Sequence, residues 1–155
     1  MQIGGLTLPC ALGPAGICAI KREGDGATPR GTFKITSGLW RADRLPRPRT
    51  SLTLHAITPR LGWCDAPGHR NYNRPVHLPF AASHESLWRE DAVYDVVLIL
   101  DHNQRPRRQN GGSAIFFHLA KPGFVATAGC VAIERRAMMC LLARLSRHAV
   151  ITIGN

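Results

Sequence analysis

Two residues in the last third of the chain, His118 and Cys130, carry side chains that together can perform nucleophilic chemistry. A thiol attacks as its thiolate, and at its ordinary pKa of about 8.5 only a small fraction is ionised near neutral pH. A neighbouring imidazole that accepts the thiol proton removes this limit. We therefore interpret Cys130 as a candidate nucleophile and His118 as its general base, with acyl transfer as the reaction. The alternative is that both are buried core residues without a catalytic role.

Two short apolar stretches joined by a loop must position these side chains. His118 lies in the predicted strand 114–119, and Cys130 directly precedes an apolar stretch that begins at Val131. This spacing suits two neighbouring strands that present both side chains at one end of a sheet. Gly129 has no Cβ, so a substrate carbonyl can approach the backbone there, and the nearby N–H groups are candidate oxyanion donors.

The cysteine content leaves a thiol-based redox or metal protein as an alternative. The five cysteines include no C-x-x-C pair and no zinc-ribbon spacing, so neither a metal site nor a cofactor is predicted. An odd number leaves at least one thiol outside any intrachain disulfide, and the nucleophile assignment requires Cys130 to be that one. Cys10 with Cys18, or Cys64 with either, are candidate pairs, and Cys140 is expected in the core on the apolar face of a helix.

The chain is strongly basic, with 20 Lys and Arg against 10 Asp and Glu and a formal charge of +10. Such a charge attracts polyanions, which include nucleic acid, anionic lipid and the anionic polymers of a bacterial envelope. The basic clusters at 41–49 and 105–108 are not interleaved with aromatic residues, so no specific nucleic-acid surface is predicted. A basic binding module without catalysis is the second alternative.

Length and composition predict one globular domain over residues 1–155. Hydrophobic residues make up 45% of the chain and charged residues 19%, which favours a folded domain over a disordered chain. No signal peptide or transmembrane segment is recognisable, because the first basic residue is Lys21 and glycine and proline interrupt the stretch before it.

Period-two patterns and frequent prolines predict a mainly β fold, a sandwich or barrel. A proline-rich segment, 58–83, is predicted as an irregular binding loop or lid. A short helix is predicted over 83–91 and an amphipathic helix over 134–145. Strands are predicted around residues 6–8, 17–20, 31–36, 52–56, 95–100, 114–119 and 150–153, with a turn at 21–26 and an Arg-rich loop at 101–112.

Two aromatic side chains in the predicted short helix, His84 and Trp88, are four positions apart and so share one face of it. They are candidates to line a substrate groove beside His118 and Cys130. The alternative is that an aromatic residue anchors the short helix to the core. We favour the anchor for Trp88, and both interpretations stay open for His84.

The stretch from Thr127 to Val131, TAGCV, resembles the Ser/Thr-x-Gly-Cys signature of the L,D-transpeptidase (YkuD-type) catalytic domain family, in which a histidine on a preceding strand completes the site. Residues 28–33, TPRGTF, resemble the family's Thr-Pro-x-Gly-x-Phe element, and the likeness extends from residue 17 to the C-terminus. The commonest members have His in place of Ala128 and Arg or Asn in place of Ala132. A branch with this shortened motif also has a Trp-Cys-Asp…Tyr-Asn region, which resembles residues 63–65 and 72–73.

The resemblance implies a β-sandwich of mixed sheets, with its site at one end, that acts on peptidoglycan stem peptides in a bacterial envelope. Cys130 would form a thioester with a stem tetrapeptide, release D-alanine and transfer the acyl group to an amine of a second stem, which gives a 3-3 cross-link. Transfer to water would make the enzyme an L,D-carboxypeptidase. Thr127 and Lys121 are expected at the substrate. Lys121, Arg135 or an arginine of the long loops would pair with stem carboxylates, and a backbone carbonyl or Thr127 would orient His118.

Overall fold

The computed structural model describes residues 1–3 and 6–154, and most of its regular structure is β-strand. One α-helix, α1 (Arg135–Leu142), and two short 3-10 turns, Ala92–Tyr94 and Pro122–Phe124, complete it. The strands are β1 (Gln2–Ile3), β2 (Leu6–Thr7), β3 (Ile17–Cys18), β4 (Thr28–Pro29), β5 (Gly31–Trp40), β6 (Leu54–Ala56), β7 (Leu61–Cys64), β8 (Arg74–His77), β9 (His84–Ser86), β10 (Val96–Leu100), β11 (Phe116–Leu119), β12 (Val131–Ile133) and β13 (Val150–Ile153).

A six-stranded mixed sheet forms the centre of the fold, in the order β12-β11-β10-β5-β13, with β6 also paired to β5. β10 is antiparallel to both of its neighbours, whereas β11 and β12 run parallel. All five residues of β10 are buried, as expected for an uninterrupted apolar strand that is covered on both faces. The strand that carries His118 and the strand that follows Cys130 are therefore neighbours at one end of this sheet.

Helix α1 covers one face of the central sheet. Met138, Leu141 and Leu142 are buried there, in a core that includes Phe117 of β11. These side chains recur at three- and four-residue intervals, the spacing that places them on one face of a helix. The predicted amphipathic helix is confirmed, with shorter bounds than the predicted 134–145.

The prediction that Cys140 packs in the core is wrong, because its side chain is exposed. Residues four apart share a helix face, and Cys140 lies on the same exposed side of α1 as Arg136. The Arg144 guanidinium donates a hydrogen bond to the Cys140 carbonyl at 3.0 Å. All five cysteines are free thiols in this structure, so none of the three candidate disulfide pairs is formed.

A smaller antiparallel sheet, in the order β8-β7-β9, covers the opposite face of the central sheet. Trp63 and Tyr94 both meet the ring of Phe116 edge to face, with centroid distances of 5.1 and 6.0 Å. Successive residues of a strand point to opposite faces, so Phe117 lies on the α1 side while Phe116 and His118 lie on the side of the smaller sheet. The two layers therefore enclose the imidazole.

Residues 58–91 differ most from the sequence-based prediction. The segment 58–83 is not irregular throughout, since it contains β7 and β8, and the predicted short helix over 83–91 is wrong because β9 lies there. Pro75 lies in β8, an edge strand, where a missing N–H is tolerated. β9 pairs with β7 about twenty residues away, as in Trp63 opposite Glu85, and such pairing is invisible to local helix-start signals.

The predicted mainly β class, with mixed sheets and one C-terminal helix, is confirmed. β9 lies where the second helix was predicted, and the 3-10 turn Ala92–Tyr94 follows that segment. Across residues 1–3 and 6–154, no helix combines the length and apolar character that crossing a bilayer requires.

Candidate active site

A cleft of about 310 Å³ opens at the end of the sandwich where β11 and β12 meet. Its wall comes from β9, from the turn before β10, from β11 and from the loop that joins β11 to β12. Both His118 and Cys130 line it, and each is only 7% exposed. His118 pairs in register with Ala132 on the neighbouring strand, so the predicted arrangement of two adjacent strands joined by a loop is present.

The thiol of Cys130 is held by two main-chain groups. The Phe116 N–H donates to Sγ at 3.3 Å, and Sγ donates to the Ala114 carbonyl at 3.1 Å. Burial, with a smaller contribution from the negative charge of Glu85, raises the pKa of the Cys130 thiol to about 12. The sulfur is therefore protonated at neutral pH and needs a base before it can attack.

His118 is set up as a neutral base. Its Nδ1 lies 2.9 Å from the carbonyl oxygen of Leu119, and because a carbonyl only accepts, Nδ1 carries the proton and Nε2 keeps a free lone pair. Burial lowers the pKa of His118 below its ordinary value, which keeps the ring uncharged near pH 7. The Tyr94 ring packs edge to face against the imidazole at 5.2 Å. Of the two predicted orienting groups, the backbone carbonyl is the one that His118 contacts.

Thr127 braces the turn that delivers Cys130. Its hydroxyl donates to the Cys130 carbonyl at 2.7 Å and accepts from the Gly129 N–H at 3.1 Å. Gly129 has φ +132°, and a Cβ there would lie 2.7 Å from the Ala27 carbonyl oxygen. Close packing against Ala27 therefore requires a glycine at position 129, which the sequence did not show. The Gly129 N–H already donates a hydrogen bond within the turn.

Of the three side chains predicted to contact substrate, two line the cleft in the structure and one lies outside it. Thr127 and Lys121 line the cleft, whereas His84 does not. His84 lies on the face of β9 opposite to Glu85, its Nδ1 is 2.8 Å from the Ala82 carbonyl oxygen, and its ring packs against Phe80. The face that His84 and Trp88 would share on a helix does not exist.

Trp88 is an anchor, as favoured from the sequence. The guanidinium of Arg41 stacks 3.6 Å from the centre of its ring. Arg41 is itself buried and pairs with Asp43, so this cation–aromatic contact fixes the segment after β9 to the body of the protein.

Three residues that sequence reasoning missed also line the cleft: Glu85, Arg89 and Tyr94. The Tyr94 hydroxyl donates to Glu85 Oε1 at 2.5 Å, and burial raises the pKa of Glu85. Arg89 makes two parallel contacts of 2.8 Å to Asp91. Reading 83–91 as alternating strand, with Glu85 and Leu87 inward, would have identified this wall.

A buried asparagine, Asn73, connects the smaller sheet to the backbone around Cys130. Its Oδ1 accepts from Trp63 Nε1 at 2.9 Å and from the Ala114 N–H at 3.1 Å, and its Nδ2 donates to the carbonyls of His102 and Asn103. Ala114 has φ +50°, an uncommon conformation for alanine, and its carbonyl is the acceptor of the Cys130 thiol. Asn73 thereby holds in place the backbone that accepts the hydrogen bond of the Cys130 thiol.

We expect Asn73→Ala to lower the free energy of unfolding by about 3 kcal/mol or more, because it leaves buried donors and acceptors unpaired. The matched control is Asn110→Ala. Asn110 has the same left-handed backbone, φ +61° against +54°, but its side chain is exposed, so only a backbone effect of about 1 kcal/mol is expected. Urea unfolding measures both. Equal losses in the two variants would show that the hydrogen bonds of Asn73 contribute nothing.

Comparison with known proteins assigns the chain to a family. The family of L,D-transpeptidase catalytic domains, YkuD, matches residues 3–153, which is nearly the whole chain. No curated protein and no solved structure matches it significantly. The match covers β11 with His118, Cys130 with the strand that follows it, the 28–33 element and the Trp63 to Asn73 region. The chain therefore belongs to the L,D-transpeptidase catalytic domain family, an enzyme family that acts on peptidoglycan.

Proposed function

We propose that this protein is a cysteine-dependent L,D-transpeptidase that cross-links peptidoglycan stem peptides through a thioester on Cys130. The observation that carries the proposal is the pairing, in one cleft, of a buried protonated thiol with an uncharged imidazole whose Nδ1 is fixed by the Leu119 carbonyl. Family membership supplies the reaction class. The acyl donor, acceptor and mechanism below are proposals built on these two supports.

Acylation begins with transfer of the thiol proton to Nε2 of His118. Having lost this proton, Sγ no longer donates a hydrogen bond to the Ala114 carbonyl, and it forms a covalent bond to the carbonyl carbon of the stem peptide. Because the Gly129 N–H is bonded to Thr127, we assign the oxyanion to the N–H of Cys130. The C–N bond to the terminal D-alanine breaks, and the departing amine takes the proton from His118.

Deacylation uses the same groups in reverse. An amine of a second stem attacks the thioester carbon, His118 accepts a proton from that amine, and the Sγ–C bond breaks. The thiolate then recovers a proton from His118. The products are an amide cross-link between two stems and the original Cys130 thiol. If water attacks instead, the product is a shortened stem and the enzyme is an L,D-carboxypeptidase.

The basic residues proposed to bind stem carboxylates differ in their positions. Lys121 lines the cleft and lies 3.9 Å from Asp91, so it remains largely available to an incoming anion. Arg135 lies outside the cleft wall and pairs with the buried carboxylate of Asp95. We therefore assign the carboxylate-binding role to Lys121, with Arg89 as the second cation of the same wall.

The shortened motif leaves small side chains where larger polar ones are common. Ala128 lines the cleft, and Ala132 lies beside His118 on β12 and is buried. Neither can bind a carboxylate or donate a hydrogen bond, so recognition depends on Lys121, Arg89 and the main chain. The bacterial envelope, where peptidoglycan is found, is the location that this function requires.

The test is product analysis by liquid chromatography and mass spectrometry after incubation with a disaccharide-tetrapeptide. We expect dimers linked through the third residues of two stems, together with one D-alanine for each link. Disaccharide-tripeptide without dimers would replace the transpeptidase assignment with a carboxypeptidase. If neither product is formed, both enzyme assignments are refuted. Tight, steeply salt-dependent binding to nucleic acid would then favour the binding module.

A further inference from the structure

The cleft is lined by more acidic than basic side chains, whereas the chain as a whole is strongly basic. Overall the protein has 20 basic and 10 acidic residues. Glu23, Asp65 and Glu85 line the cleft, against only Arg89 and Lys121 among the basic residues. Asp91 lies within 4 Å of both of these cations and offsets part of their charge. An acidic recess in a basic protein attracts a cationic group while the exterior attracts a polyanion.

Asp65 Oδ1 is buried in this cleft without a hydrogen-bond partner among the described residues, and Ser113 Oγ faces the Tyr72 hydroxyl without a hydrogen bond of normal geometry. Ser113 is only 7% exposed. A buried polar atom without a partner is unfavourable by about 1–3 kcal/mol, so such atoms at a cleft wall point to a ligand that completes them. A carboxylate can only accept hydrogen bonds, so the missing group at Asp65 must be a donor.

The strand register explains why Asp65 faces the cleft. Trp63 of β7 pairs with Glu85 of β9, so these two side chains share one face of the smaller sheet. Asp65 is two residues beyond Trp63 and continues that face. The Asp65 N–H donates to the Ser83 carbonyl at 3.3 Å, so Asp65 lies beside the start of β9, two residues along the chain from the level of Glu85.

The other two acidic side chains already have partners. The Tyr72 hydroxyl donates to Glu23, and the Tyr94 hydroxyl donates to Glu85. Each of these pairs connects a carboxyl group to a buried tyrosine and fixes its position. Asp65 is therefore the acidic side chain of the cleft wall that has an oxygen, Oδ1, available to accept a hydrogen bond from a substrate.

We propose that Asp65, with Ser113 and Glu85, binds the ammonium group of the acyl acceptor and delivers that amine to the thioester on Cys130. An ammonium group has three donors and no acceptor, which matches a carboxylate oxygen, a hydroxyl oxygen and a second carboxyl group. A carboxylate ligand would instead be repelled by Asp65. This assignment rests on the proposed function, because it requires a thioester and an amine acceptor.

The proton balance of the transfer is complete with groups of the cleft. The bound ammonium first releases one proton to solvent through the acidic wall. The neutral amine forms the N–C bond, its second proton passes to His118, and the Sγ–C bond breaks. His118 then returns that proton to the thiolate of Cys130. The net products are an amide, the free thiol and one proton released to solvent.

A two-step experiment separates acceptor binding from acylation. The enzyme is first acylated with an isotopically labelled disaccharide-tetrapeptide, and acylation is followed by intact mass. Unlabelled disaccharide-tripeptide, which has lost the terminal D-alanine and can act only as acceptor, is then added at increasing concentration. Labelled tripeptide reports hydrolysis and mixed dimer reports transfer to the amine. The variants are Asp65→Asn and Ser113→Ala, with Glu90→Gln as control for charge, since its side chain is 95% exposed and outside the cleft.

We expect Asp65→Asn to raise the KM for the tripeptide acceptor about tenfold or more and to shift product toward hydrolysis, with acylation within about twofold of wild type. Ser113→Ala should raise the acceptor KM and the share of hydrolysis product by smaller amounts, and Glu90→Gln should change neither quantity. An unchanged acceptor KM in Asp65→Asn would overturn the assignment. An equal loss of acylation and transfer would also overturn it, by giving Asp65 a structural role. If wild type forms no thioester, the proposed function itself has failed.

Discussion

Cys130→Ala is expected to abolish thioester formation and to lower turnover of the tetrapeptide by about a thousandfold or more, since no other group of the cleft replaces the nucleophile. The side chain is buried, and its removal leaves the Phe116 N–H and the Ala114 carbonyl without the sulfur that bonds them. Stability should therefore fall modestly, by about 1–2 kcal/mol. Turnover is measured by D-alanine release and stability by urea unfolding.

Two further variants make the result specific. Cys130→Ser keeps a group that can accept from Phe116 and donate to Ala114, so it should fold as wild type does and still lose turnover. Cys140→Ala removes an exposed thiol on α1, far from the cleft wall, and should leave turnover unchanged. A Cys130→Ser protein that is stable and retains most of its D-alanine release would contradict the assignment of the nucleophile.

His118→Ala is expected to slow acylation by about 10²- to 10⁴-fold, the usual contribution of a positioned general base. The thiol remains in place but must then ionise without help. Because burial raises its pKa to about 12, only a minute fraction is thiolate near pH 7. Single-turnover acylation, followed by mass spectrometry after rapid quenching, gives this rate directly. His118→Gln tests the same loss with a side chain that fills more of the space.

The pH profile distinguishes a lost base from a damaged cleft. In wild type, acylation should fall as the pH decreases through the lowered pKa of His118, because the imidazolium cannot accept the thiol proton; the midpoint should lie below 6.5. In His118→Ala, the rate should rise with pH across the neutral and alkaline range as the thiol ionises. His55→Ala, at an exposed position on β6, should keep the wild-type profile. A flat profile in His118→Ala would contradict the role of the base.

The strands that build the centre of the sheet were predictable because their signals are local. Val96–Leu100 is an unbroken apolar run, and Val150–Ile153 consists of β-branched residues; both are strands in the structure. The spacing of His118 and Cys130 similarly specifies two adjacent strands, since a loop of this length can return the chain to the same sheet. The apolar face of α1 follows from the same kind of periodicity.

The smaller sheet was not predictable in the same way. β7, β8 and β9 are short, and they exist as strands because they pair with one another across long stretches of chain. Serine and glutamate near the start of 83–91 favour a helix locally, but pairing of Glu85 with Trp63 prevails. The consequence for the site was direct: His84 was a candidate for the cleft and Glu85 was overlooked, whereas in the structure Glu85 lines the cleft and His84 does not.

Contacts that involve single backbone groups were also beyond the reach of the sequence. The Ala114 carbonyl that bonds to the thiol depends on a positive φ at an alanine, which no residue preference indicates. The Trp63 to Asn73 region resembles one branch of the family, but the resemblance does not explain what these residues do in the structure. The structure provides one, since Asn73 bonds to both Trp63 and Ala114.

The most direct test of the account is the mass of the intact protein after brief incubation with a disaccharide-tetrapeptide and an acid quench. The account predicts one added acyl group, equal to the substrate less D-alanine, that maps to the peptide containing Cys130 and is removed by hydroxylamine as a thioester is. An enzyme that releases D-alanine without this adduct in rapid-quench samples, or an adduct on another cysteine such as Cys64, would contradict it.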